Sequence, residues 1–157
     1  MRKTGLLLIG ALLMAGCGGG GGENRSRQSP IVGRWRLTRV QGLGQTLNCP
    51  GTLGIPGVGS ASCSDSDLVQ FNNDGTFSAS GNVSASGEGI ELPTGGIPTN
   101  GSGTYQFANN TLNVTVAQPV DAQGETGTVN VAFSGQNMTL SATESGVTVT
   151  STFVKVQ

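Results

Sequence analysis

The chain has 157 residues, the size of one domain, and is rich in small and polar side chains: 27 are glycine, 4% are aromatic and 11% are charged. It has no histidine, which removes the commonest general base and metal ligand and excludes Ser-His-Asp, Cys-His and histidine-based zinc chemistry within this chain. From Cys17 on, six basic residues face nine acidic ones, a net charge of −3, and after Arg39 only Lys155 is basic; such a body offers no phosphate-binding surface and argues against a nucleic-acid partner.

Arg2 and Lys3, followed by the apolar run Leu6–Ala15, form a targeting segment too short for a comfortable membrane span. Leu13-Met14-Ala15-Gly16-Cys17 resembles the bacterial lipoprotein lipobox, with Met14 where leucine is usual. The resemblance implies cleavage before Cys17 and a diacylglyceryl group on its thiol. Residues 1–16 are then a signal peptide. The five glycines that follow have no Lys-Ser/Thr after them and no strand before them, so they are a spacer rather than a phosphate loop. Residues 17–30 are a lipidated cysteine and flexible tether, and the folded domain is 31–157. Gly18, rather than aspartate, resembles lipoproteins sent to the outer membrane. The basic residues between Arg25 and Arg39 have two readings: apposition to anionic head groups, or a solvated tether and strand face. Setting Cys17 aside leaves Cys49 and Cys63, which can pair in an oxidising compartment; two reduced, buried thiols are the alternative.

From Ile31 onward the pattern is strand after strand. Gly33–Gln41 alternates, with Trp35, Leu37 and Arg39 opposed to Arg34, Arg36, Thr38 and Val40. Gly42–Ser66 reads as a long loop, functional or pinned by the two cysteines. Val69 and Phe71 lead through the turn Asn72-Asn73-Asp74-Gly75 into Phe77, Ala79, Gly81, Val83 and Ala85, all of one parity. After a loop from Glu88 to Gly101, Tyr105 and Phe107 turn at Asn109-Asn110 into Leu112, Val114 and Val116. Val129, Val131 and Phe133 form one further strand, and Met138, Leu140 and Ala142 the next. In the last strand Val147 and Val149 share one parity while Val154 and Val156 take the other, so a β-bulge is expected near Ser151-Thr152. Eight strands joined in sequence order predict an all-β, eight-stranded up-and-down antiparallel barrel, closed on itself and apolar inside. One Trp and one Tyr cannot supply the aromatic girdles of a membrane-spanning barrel.

Several of these residues together resemble a family. Gly33-Arg34-Trp35 is similar to the Gly-x-Trp of lipocalins, and the stretches 63–77, 103–115, 138–143 and 152–156 are similar to bacterial lipocalin-like domain lipoproteins. The resemblance spans Ile31 to Gln157. It implies a basic residue from the barrel's end stacked on Trp35, for which Lys155 is the candidate, although the family commonly uses arginine there. It also implies carriage or sensing of a small apolar or amphipathic ligand in the cell envelope. The candidate lining is Leu37, Phe71, Phe77, Tyr105, Phe107, Phe133, Met138 and Phe153.

No catalytic constellation emerges. Asp65-x-Asp67 has too few oxygen ligands for a calcium loop, Glu88 and Glu91 lie in a loop, and no Gly-x-Ser-x-Gly elbow is present. The chain is expected to be a non-enzyme without cofactor or metal. Its expected partners are the membrane, through the N-terminal lipid, and a small apolar ligand. The alternative is a periplasmic interaction module, such as a protease inhibitor or assembly accessory, that meets an envelope protein through Gly42–Ser66.

Overall fold

The structure is a computed structural model that describes residues 28–55, 59–86, 97, 100–119, 123–144 and 146–157. Residues 1–27, where the signal peptide, Cys17 and most of the tether are expected, and the pair Glu88 and Glu91 lie outside the described residues. The strands are β1 (Gly33–Gly42), β2 (Gln45–Asn48), β3 (Gly51–Ile55), β4 (Gly59–Cys63), β5 (Leu68–Phe71), β6 (Thr76–Ser80), β7 (Ser84–Ser86), β8 (Gly101–Ala108), β9 (Thr111–Gln118), β10 (Thr126–Ser134), β11 (Asn137–Glu144) and β12 (Val147–Val156).

Eight of them, in the order β1-β5-β6-β8-β9-β10-β11-β12, form an antiparallel meander that closes when β12 pairs with β1. This is the all-β up-and-down barrel that the alternation predicts. Closure leaves no free edge among these strands. The tight turns suit their residues: Asn109 and Asn110 both take left-handed φ, at 51° and 59°, as a two-residue hairpin turn requires. Both core clusters draw on side chains from Ile31 onward. Among the described residues the closed sheet and both core clusters lie within the segment from Gln28 onward.

Three sequence expectations are corrected. Gly42–Ser66 is not a loop. It makes β2, which extends the barrel sheet beside the far half of β1, and the hairpin β3–β4. Leu47 and Ala61 are buried there and Leu53 packs beside them, so a few apolar side chains hold strands in a Gly/Ser-rich stretch. Next, the strand after Phe77 does not run on to Ala85. It leaves the barrel after Ser80, and β7 joins β3 and β4 in a separate three-stranded sheet. The Asn100 side chain explains the exit. Its Oδ1 accepts from Gly81 N at 3.1 Å and its Nδ2 donates to Gly81 O at 2.7 Å, so an amide side chain replaces the ladder. Val83 accordingly packs in the second cluster instead of the barrel.

Third, β12 has no bulge. Its register with β11 is unbroken from Asn137↔Val154 to Glu144↔Val147. The irregularity is across the seam, on β1, where Leu37 pairs with Phe153 and Arg39 with Thr152. Thr38 is the extra residue, and its Oγ1 donates to Thr152 O at 3.0 Å. Past the bulge the phase is reversed. Val40 turns inward and Arg39 outward, contrary to simple alternation. Val154 and Val156 stand opposite Arg36 and Arg34 and face outward with them.

Candidate functional site

The two ends of the barrel are built differently. One end gathers the hairpin turns of β5–β6, β8–β9 and β10–β11 with the start of β1. Trp35 plugs it. The indole is 2% exposed, and its Nε1–H donates to Ile31 O at 2.8 Å, which removes the one polar cost of burying it. Lys155, directly opposite on β12, places Nζ 5.3 Å from the centroid of the Trp35 ring. Gly33 is what leaves room for that lysine. Its φ is +135°, and a Cβ there would lie 2.8 Å from Lys155 Cε, so the Gly-x-Trp spacing has a steric cause.

Rings fill the rest of this end. Trp35 and Phe133 have centroids 6.0 Å apart. Phe107 meets Phe133 edge-on at 6.0 Å, and Phe71 meets Tyr105 edge-on at 5.0 Å and Phe77 at 6.3 Å. Met138 is fully buried among them. Of the candidate lining residues, Phe71, Phe77, Tyr105, Phe107, Phe133 and Met138 thus pack in one cluster at this end. The Tyr105 hydroxyl donates to Asn72 O at 2.6 Å. Burial raises the phenol pKa above its ordinary value of 10.0, and the Asp74 carboxylate adds to the rise. Asp74 itself is lowered from 3.8, first by the Thr76 hydroxyl and then by the Thr76 amide, both of which donate to it.

At the opposite end the lining shrinks. Ala79, Ala142, Val116 and Val149 replace the rings on the inward face. Leu37 belongs to a second cluster with Leu47, Ala61 and Cys63, and Phe153 packs against both clusters and bridges them. Cys49 and Cys63 are disulfide-bonded, with S–S 2.08 Å and Cα–Cα 5.4 Å. This bond fastens the start of the β3–β4 hairpin beside β1, where Cys49 N donates to Thr38 O at 2.9 Å.

Asp67 is the feature that sequence reading misses. It reads as a solvated loop acid, yet it is 3% exposed, the one buried charged side chain among the described residues. Its Oδ2 accepts from Ser64 N and its Oδ1 from Asn82 N, each at 2.6 Å, and Ser64 Oγ adds a bond of 3.2 Å. Its own carbonyl accepts from Leu37 N at 2.9 Å. The Asp67 carboxylate thus ties the end of β4 to the exit from β6, and its main-chain carbonyl joins both to the middle of β1. Gly81 must lack a side chain, because a Cβ would fall onto the Asp67 carboxylate. Asp65, its sequence partner, is exposed; the pair does not converge. No sequence signal distinguishes the two acids.

The rim of this end carries an open cleft of about 380 Å³ between the β1–β2 turn (Gln41–Thr46) and Thr148 and Thr150 of β12. At its lip Leu43 is 60% exposed and sits at φ +52°, a left-handed conformation that leucine rarely adopts. No buried side-chain polar atom among the described residues lacks a partner.

A family model described as a lipocalin-like domain matches residues 31–144. No curated protein matches the chain. Among solved structures, a lipocalin-like protein from Bacteroides uniformis is 19% identical and aligns over 80% of this chain and 98% of its own, with a TM-score of 0.47. An uncharacterised protein from Bacteroides eggerthii is 16% identical over 80% of this chain and 99% of its own, with a TM-score of 0.47.

Proposed function

For a chain that belongs to the family of lipocalin-like domains, we propose a non-catalytic role: binding one small apolar or amphipathic molecule in the barrel, while a lipid on Cys17 holds the protein in the bacterial envelope at the outer membrane. The observation that carries the binding reading is the unequal lining. Trp35 against Phe133 and Phe71 against Phe77, with Met138 buried in the same cluster, fill one end, whereas Ala79, Ala142, Val116 and Val149 line the other. A ligand enters at the small-residue end and stops at the aromatic plug. The disulfide-fastened β3–β4–β7 sheet forms the rim of the mouth. Affinity comes from apolar surface removed from water, about 25 cal/mol per Å² before the costs of association.

The test is native mass spectrometry of protein purified from its own host, paired with titration of a fluorescent apolar probe. A retained small molecule and saturable probe uptake are expected, both reduced in Ala142→Phe, which fills the mouth. Absence of any retained molecule, together with probe uptake that never saturates, overturns the reading. Anchorage is tested separately: fatty-acid label is expected on the wild-type chain and not on Cys17→Ser.

A second reading has one observation of its own. Leu43, exposed on a left-handed turn above a cleft, suits contact with an envelope protein through the Gly42–Ser66 segment. Pull-down from envelope extracts with wild type and Leu43→Ser separates the two. A partner lost in the variant supports contact; identical captures remove it.

A further inference from the structure

Charge in the domain is sorted by strand. From Gln28 on there are four basic residues, Arg34, Arg36, Arg39 and Lys155, and all lie on the neighbouring strands β1 and β12. Arg34 and Arg36 flank buried Trp35 and point outward. Strict alternation would then turn Arg39 into the barrel. The bulge at Thr38 resets the phase, so Arg39 is outward and exposed as well. The result is a row of three guanidinium groups roughly 15 Å long on one outer wall. Among the described residues none of the three makes an ion pair or a side-chain hydrogen bond. Their cross-strand neighbours are uncharged: Gln70 and Val156 beside Arg34, Leu68 and Val154 beside Arg36. Leu68, Val154 and Val156 are half-buried on that same outward side.

We propose that this wall is a membrane-apposed face that lays the barrel sideways on an anionic bilayer, with Arg34, Arg36 and Arg39 on head-group phosphates. Guanidinium groups suit phosphate oxygens through paired hydrogen bonds. Leu68, Val154 and Val156 supply an apolar strip beside them. Charge complementarity selects the occupant. A basic row on an otherwise acidic domain is drawn to an anionic plane on this side and repelled on the others, which fixes one orientation. The sequence ahead of the described residues adds to the same charge. Arg25 and Arg27 precede β1 by less than ten positions in sequence. Arg34 lies seventeen positions beyond Cys17, a maximum span of about 60 Å, which is long enough for the wall of an anchored chain to meet the surface. The proposal does not depend on the lipid, because the row belongs to the barrel.

The experiment uses the chain from residue 17 onward with Cys17→Ser, so that no lipid contributes, and vesicles of phosphatidylcholine with and without phosphatidylglycerol. Wild type is expected to sediment only with the anionic vesicles and to be released by high salt. Arg34→Ser/Arg36→Ser/Arg39→Ser is expected to lose of the order of a hundredfold in apparent affinity, about fivefold for each arginine. The triple lysine variant keeps the charge and is expected to retain most of the binding, which separates lost charge from lost fold. Wild type that ignores anionic vesicles, or a serine variant that binds them equally well, overturns the proposal. So does a wild type that prefers an immobilised acidic peptide to the vesicles, since the wall would then be a protein-contact face.

Discussion

The aromatic end and the disulfide end of this barrel reach rigidity by different means. At the aromatic end, rings from β1, β5, β6, β8 and β10 meet in tilted and edge-to-face pairs and a tryptophan closes the floor. Cohesion there is dispersion and burial, shared among residues far apart in sequence. At the disulfide end the side chains are small, and the elements are held by discrete ties: one S–S bond, one buried carboxylate and one amide side chain bracketing a glycine. The first arrangement tolerates no space and the second needs little mass. Gly/Ser-rich strands can be ordered without a large core, provided that point attachments replace area.

The most severe test of this contrast is Trp35→Ala. Removing a fully buried indole costs about 3–5 kcal/mol, a large share of the stability of a domain this size, so the melting transition of the whole barrel should fall steeply. Cys49→Ser/Cys63→Ser opens a link between residues 14 apart and should cost about 3 kcal/mol, with amide exchange accelerating in β2, β3, β4 and β7 while β9–β11 stay protected. Equal acceleration in both groups would show one cooperative unit and erase the distinction. Asp67→Ala strands the amides of Ser64 and Asn82 and should cost about 2–3 kcal/mol, again felt first around β4 and the β6 exit.

Smaller effects are expected back at the aromatic end. Tyr105→Phe loses one hydrogen bond, about 1 kcal/mol, and changes the alkaline limb. The Tyr105 pKa is raised in the folded chain, so the folded state holds that proton more tightly than the unfolded state does. Its stabilising contribution is whole below about pH 10 and is lost as pH rises through the folded value; the phenylalanine variant should lack that decline. Lys155→Ala should cost least, about 0.5–1 kcal/mol, read as a small shift in the urea midpoint.

How much could be read beforehand follows the same division. Where apolar and polar residues alternate strongly, as in Thr111–Gln118 and Thr126–Ser134, strand, face and turn were all legible. The barrel's order followed from short connections. In Gly51–Cys63 the alternation is between glycine, serine and small apolar residues, which carries no contrast in hydropathy, so strands looked like loop. Alternation alone puts the bulge on the wrong side of the seam, because a parity change among valines has two causes: an extra residue, or valines that face outward. Only the pairing with Arg34 and Arg36 decides between them. Asp67 was illegible because nothing in a Ser-Asp-Ser-Asp string says which acid is folded inward. The comparison of ring-packed and small-residue ends, on which the binding proposal stands, needed contacts between distant strands.

The single tryptophan of the chain lies wholly within one of these two regions. An indole shielded from water, hydrogen-bonded through its N–H and faced by an ammonium group emits at short wavelength and shifts red when the floor opens. The protein therefore carries its own optical gauge for the aromatic end. Cleaving the disulfide should leave that emission unchanged, so one spectrum and one thiol count follow the two ends independently in the same tube.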